Sequence, residues 1–200
     1  MTKQVAKVCM VPDLYARQDS NFFFLSGSDL AWNLLGSHNE GLLAASEVAK
    51  QLSYLRMKTN KKLFVDAQSG FGNPLNTYFT VKELEHYGAD VVLVNDQKYP
   101  SNTIKPQKDQ FYSFAGRVKA AVDANSEDGC KVWVKLDCFN DYGNDGLQKR
   151  LSTAAKLGAT GALLNGVPNE VVKKLDVNLK LGLVNPQSLD CPSNVEYLFG

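Results

Sequence analysis

Short apolar runs and longer stretches with helical spacing alternate along nearly the whole chain. Val5–Val11, Phe22–Leu25, Leu63–Val65, Val91–Val94, Lys131–Leu136, Gly161–Leu164, Leu179–Val184 and Val195–Phe199 have the length and the β-branched or aromatic content of buried strands. Between them, apolar residues recur at helical spacing. Leu42–Met57 carries a stripe of Leu42, Leu43, Val48, Leu52 and Leu55, and a helix after Thr80 closes at Gly88, which fits the C′ position. Phe111–Ala124, Leu147–Leu157 (closing at Gly158) and Asn169–Leu175 read as further helices. Leu14–Asn21 is too short for a long helix, so the first crossover is abbreviated, and Leu30–Leu35 with the following Gly36–Asn39 reads as a loop or short turn. Ser101–Gln110 is polar, contains Pro106, and reads as a surface loop.

Strand and helix in regular alternation predict a parallel sheet covered by helices, and about eight strands favour closure into a (β/α)8 TIM barrel over an open doubly wound sheet. The 200 residues, 44% of them hydrophobic, can bury one sizeable core, so residues 1–200 are expected to form a single α/β barrel domain, compact for this fold.

Charge narrows the partners. Twenty-two basic side chains stand against 21 acidic ones, interspersed along the chain, so there is no clustered basic surface of the kind nucleic acid requires. No apolar stretch predicts a membrane span, and the first residues lack the apolar core of a signal peptide, which points to a cytoplasmic protein. The expected partner is a small molecule or another protein. Cys9, Cys130, Cys138 and Cys191 show no metal or redox spacing and read as free thiols, with Cys138, just past a strand, the one closest to the chemistry.

In a barrel of this kind the carboxyl ends of the strands converge on one mouth. The polar residues there are Ser26, Gly27, Asp66, Gln68, Asn95, Asp96, Lys135, Asp137 and Asn165. Carboxylates gathered at such a mouth suit Mg²⁺, which would orient an oxo-acid and stabilise an enolate. Structural alternatives stand beside each assignment: Asp66 as a turn cap, Gln68 and Asn95 as hydrogen-bonded plugs, and Lys135 with Asp137 as an internal ion pair. Trp32 and Trp133 read as core, and His38 and His86 as packed or solvent-facing.

The run Asp66-Ala-Gln-Ser-Gly-Phe-Gly-Asn73, then Val81-Lys-Glu-Leu-Glu85 before Gly88-Ala89, then Asn95-Asp-Gln97 and Pro100, resembles the isocitrate lyase and phosphoenolpyruvate mutase superfamily. There the first segment usually reads Asp-x-Asp-Thr-Gly-Tyr-Gly-Asn and the second Glu-Asp-Gln. The resemblance runs from about Phe22 to Leu164 and implies the same barrel. It implies that Ser26 and Gly27 contact a substrate carboxylate, and Asn95 with Asn165, as polar strand-end residues of the mouth, are expected on the substrate as well. Asp66, Lys135 and Asp137 would be the catalytic set, and Asp66, Gln68 and Asp96 the metal positions. The implied chemistry is cleavage or formation of a C–C or P–C bond beside a carboxylated carbonyl, through an enolate.

The departures from that pattern share one direction. Gln68 stands for an aspartate, Asn95 for a glutamate, and Asn39 for the aspartate of the loop after strand two, so up to three negative charges are lost and Mg²⁺ binding is expected to be weak or absent. Lys135 replaces an arginine and gives up its bidentate fork. The lyase loop Lys-Lys-Cys-Gly-His is replaced by Ser101-Asn-Thr-Ile-Lys105, so isocitrate or methylisocitrate cleavage is not expected. Two functions remain: an oxo-acid enzyme, or a catalytically inactive relative that binds a ligand or a protein. The chain stops just past the last predicted strand, without the family's swapped C-terminal helix, and a monomer or homodimer is the expected state.

Overall fold

The computed structural model describes residues 2–184 and 191–200. Eight parallel strands close into a barrel: β1 (Lys3–Val8), β2 (Phe22–Leu25), β3 (Lys62–Asp66), β4 (Val91–Asn95), β5 (Lys131–Leu136), β6 (Gly161–Leu164), β7 (Lys180–Val184) and β8 (Val195–Phe199). The ring closes where β1 pairs with β8, Val5 opposite Phe199. The connecting helices are α1 (Val11–Ala16), α2 (Gly27–Leu35), α3 (Ala45–Arg56), α4 (Pro74–His86), α5 (Phe111–Ala124), α6 (Phe139–Leu157) and α7 (Asn169–Val172). This is the (β/α)8 fold that the alternating pattern predicts. None of the described helices is long and apolar enough to cross a membrane.

Successive side chains of a strand face opposite sides, so each strand divides its residues between two cores. Val65, Val92, Val94, Val134 and Leu136 point outward under helix residues such as Leu52, Leu84, Val118 and Leu151. Phe24, Phe64, Leu93, Trp133, Leu163, Tyr197 and Phe199 point inward and fill the barrel. Phe64 is the hub: its ring centroid lies 5.3 Å from those of Trp133 and Phe199 and 5.7 Å from that of Tyr197, all edge-on. Gly161 makes room for this cluster, since a Cβ there would stand 2.1 Å from the Trp133 ring.

Several elements differ from the sequence expectation. Val11 belongs to α1 and not to β1, because Pro12 at the start of a helix is compatible with its fixed φ, and Asp13 accepts hydrogen bonds from the Cys9 and Met10 amides. The stretch expected as a loop at Leu30–Leu35 is helix α2, capped by Ser26, whose Oγ accepts from the Asp29 amide, and closed by Gly36 at φ 66°. Trp32, Leu34 and Leu35 face solvent on it, which blurs the apolar periodicity, and Trp32 stacks on His38 instead of entering the core. Leu42 is exposed in a 3-10 turn, Glu40–Leu42, ahead of α3. α6 begins earlier than expected, at Phe139, with a break at Gly143, and α7 is shorter.

Replacing Phe64 by Ala is expected to cost about 3–5 kcal/mol of unfolding free energy, the range for truncating a buried Phe. Urea unfolding followed by circular dichroism measures it, and a loss under about 1 kcal/mol would contradict a hub position for this ring.

Candidate functional site

The inward parity that carries Phe64, Leu93 and Trp133 into the barrel carries Asp66, Asn95 and Lys135 to its mouth, two residues further along the same strands. Asp137 extends the same face of β5, and Asn165 that of β6. At the centre lies the Lys135 ammonium. Its Nζ donates to Asp66 Oδ2 at 2.7 Å and stands 3.5 Å from both Glu40 Oε2 and Asp137 Oδ2. Burial disfavours the charge, but Asp137, Asp66 and Glu40 outweigh it and hold the ammonium well above its ordinary pKa.

Glu40 is the residue that the sequence reading missed. The resemblance points to its neighbour, Asn39, as the position of a lost charge; Asn39 instead caps the 3-10 turn by accepting from the Gly41 amide, and Glu40 enters the mouth fully buried. Its carbonyl accepts from Gln68 Nε2 at 2.7 Å, and its Oε1 accepts from Asn95 Nδ2 at 3.2 Å. Its Oε2 has no hydrogen-bond partner. The turn fits because residue 41 is glycine: a Cβ there would stand 1.9 Å from the Ser101 carbonyl oxygen. Burial, with the Asp66 and Asp137 charges and against Lys135, pushes the Glu40 carboxyl up to about 8.

The remaining mouth residues lock this cluster. Asp66 Oδ1 accepts from the Gln68 amide at 2.8 Å, which holds Gln68 at φ 51°, a left-handed conformation costly for a side chain of its size. Gln68 Oε1 is buried without a partner. Asn95 also donates to Ser101 Oγ, which in turn donates to Ser69 Oγ, so the loop after β4 is fastened over the loop after β3. Asp137 accepts from Gln97 Nε2 at 2.8 Å and from Asn165 Nδ2 at 3.0 Å. Ser26 caps α2, and Gly27 abuts the cluster: a Cβ on it would meet Glu40 Oε2 at 3.0 Å and the Asp66 carboxyl carbon at 3.7 Å. The first-turn amides of α2, which have no partner within their own helix, therefore open beside the carboxylates.

Asp96 does not join them. It follows Asn95, so it faces outward, where Oδ2 accepts from the Tyr142 hydroxyl at 2.7 Å and lies 3.8 Å from Arg150 Nε, while Oδ1 accepts from the Asp137 amide. Asp96 thus lies on the opposite face of the sheet from Asp66 and Gln68. Burial and the Asp137 charge push the Asp96 carboxyl up to about 6. Behind the same strand end, the buried Arg117 guanidinium donates to the Asn95 and Gln97 carbonyls and pairs with Asp109. Cys138 is buried against this outer network, and its thiol is pushed upward by burial and by the carboxylates around it.

Residues 14–185 match the family model of phosphoenolpyruvate phosphomutase. The chain is 27% identical over 143 residues to an oxaloacetate decarboxylase of Bradyrhizobium sp. (strain ORS 278), covering 70% of this chain and 50% of that one. It is 25% identical over 153 residues to a 2,3-dimethylmalate lyase of Eubacterium barkeri, covering 75% and 53%. It spans about half the length of the curated relatives it matches. In structure it is similar to a phosphoenolpyruvate phosphomutase from Streptomyces platensis subsp. rosaceus (TM-score 0.86, 17% identity, 100% of this chain and 76% of that one). A phosphonopyruvate hydrolase solved with oxalate and Mg²⁺ is similarly alike (TM-score 0.87, 19% identity, 99% and 75%).

The raised Glu40 carboxyl has a signed consequence. The folded protein keeps a proton that the unfolded chain releases near pH 4.5, so stability is highest below that pH on this account and falls as pH rises toward about 8. Asp96 adds the same sign between its ordinary 3.8 and about 6. Urea unfolding between pH 5 and 8 is expected to show a decline on the order of a few kcal/mol, and Glu40→Gln should flatten that slope. An unchanged slope in the variant would remove Glu40 as its source.

Proposed function

The chain belongs to the phosphoenolpyruvate phosphomutase family, within the isocitrate lyase superfamily, and from that premise we propose that its mouth binds a small 2-oxo acid and cleaves the C–C or P–C bond that joins the carbon adjacent to the carbonyl to its departing group. The observation that carries this reading is the Lys135 ammonium held at the mouth by Asp66, Glu40 and Asp137. The substrate carboxylate would lie on the first-turn amides of α2 at Ser26–Gly27, and its carbonyl oxygen on Lys135, with Asn95 and Asn165 at the rim. For oxaloacetate, the acid named for the Bradyrhizobium relative, the bond to the departing carboxylate breaks and CO₂ leaves. The electron pair passes to the carbonyl oxygen as an enolate facing the ammonium. Glu40, protonated at neutral pH, would then give its proton to the enolate carbon.

Mg²⁺, present with the phosphonopyruvate hydrolase, does not fit these residues. Among the described residues no group of three or more His, Cys, Asp or Glu is placed to hold a metal ion, and the three acids of the mouth surround Lys135 instead. A dication on the oxygens that hold Lys135 would lie about 3 Å from the ammonium, a repulsion on the order of 10 kcal/mol at an effective dielectric constant of about 20. No step is therefore routed through a metal. Isocitrate and methylisocitrate are not proposed as substrates, because no cysteine stands between Pro100 and Gln110.

A second reading, a ligand-binding barrel without turnover, is favoured by one feature. Lys135 already pairs with Asp66 and Asp137, so an incoming anion must compete with Asp66 for it. Either form would act as a monomer or homodimer on a small carboxylate.

Oxalate in the presence of EDTA is expected to raise the melting temperature. At a hundredfold excess over Kd the gain is about 2.7 kcal/mol, or several degrees for a chain of this size. Lys135→Met should abolish the shift and lower any pyruvate release from oxaloacetate by at least about 100-fold. A shift without turnover would select the second reading, and no shift with oxalate, pyruvate or phosphonopyruvate would reject both.

A further inference from the structure

We propose that the Lys135 ammonium occupies the place a divalent ion would take among the acids of this mouth, so that the site is built to work without a metal. The carboxylates around Nζ come from three separate segments: Glu40 from the 3-10 turn before α3, Asp66 from the end of β3 and Asp137 from just past β5. A cation drawn to all three must sit between those segments, and Lys135 delivers one from within the barrel wall, two residues beyond Trp133. The amides complete the substitution. Gln68 donates to the Glu40 backbone carbonyl and Asn95 to its Oε1, so the two amides fix the turn and its carboxyl beside the ammonium, where anionic side chains would add charge for a dication. An ammonium needs only hydrogen-bonding oxygens at about 2.8 Å, whereas Mg²⁺ demands near-octahedral oxygens at about 2.1 Å. The distance of 2.7 Å to Asp66 is of the first kind.

The inference concerns the same mouth as the proposed function but does not depend on turnover, and the oxalate shift in EDTA tests that function separately. Mn²⁺ binding read by electron paramagnetic resonance tests this one. Wild-type protein is expected to leave the free Mn²⁺ signal unchanged up to about millimolar metal, and Gln68→Asp/Asn95→Glu, which restores carboxylates but keeps Lys135, should gain little. Lys135→Met, checked for folding by circular dichroism, should bind Mn²⁺ at least about tenfold more tightly than wild type, a gain that Asp66→Asn cancels in the double variant. Wild-type binding in the micromolar range would overturn the proposal. So would tight binding by the Gln68→Asp/Asn95→Glu variant, which would make the amides and not the ammonium the obstacle, and which decides the matter even if Lys135→Met does not fold. A folded Lys135→Met variant that gains no metal would overturn it as well.

Discussion

One buried ammonium among three carboxylates sets the terms for everything at the barrel mouth. Taking four charged groups out of water is costly, and their mutual attraction compensates only where geometry is good and the remaining oxygens are hydrogen-bonded. The mouth meets that condition residue by residue: Gln68 bonds back to Asp66 and across to Glu40, Asn95 bonds to Glu40 and Ser101, and Gln97 and Asn165 bond to Asp137. With three acids to one base the cluster still carries excess negative charge, and the imbalance falls on Glu40, the most deeply buried acid, which responds by holding its proton. Its Oε2, 3.5 Å from the Lys135 ammonium and without a hydrogen bond, lies beside Gly27 at the start of α2.

The strand ends that carry this cluster are fixed from behind. Arg117, fully buried in α5, holds the Asn95 and Gln97 carbonyls, and Asp96 ties the end of β4 to the Asp137 amide and to Tyr142 and Arg150 of α6. Two adjacent residues, Asn95 and Asp96, thus serve opposite sides of one strand. The inner one shapes the mouth, and the outer one keeps β4, β5 and α6 in register, so that Lys135 and Asp137 arrive together.

Much of this was legible in the chain. The eight strands follow from apolar runs of strand length, and the inward set Asp66, Asn95, Lys135, Asp137 and Asn165 lies on the residues that alternation assigns to one face. The same parity, applied strictly, separates Asp96 from that set, since it is one residue from Asn95 and must face the helices. Asp66 and Asp96 therefore fall on opposite faces, as a period of two requires. α2 was hidden for another reason: its cap Ser26 and closing Gly36 are visible, but Trp32, Leu34 and Leu35 project into solvent, and an apolar residue on the outer face carries no periodic signal.

Local pattern determined the order of elements, the barrel and the inward face of each strand, because these depend on spacing along the chain and on the need to bury apolar side chains. The position of Glu40 was decided only in three dimensions. It lies on an irregular turn with no period to read, and it enters the mouth because Gly41 lets the turn close on Ser101 and because two side chains distant in sequence hold it there, Gln68 by its backbone carbonyl and Asn95 by its buried carboxyl. Whether Lys135 pairs with one acid or with three depends on where those chain segments meet, and spacing along a sequence does not encode that distance.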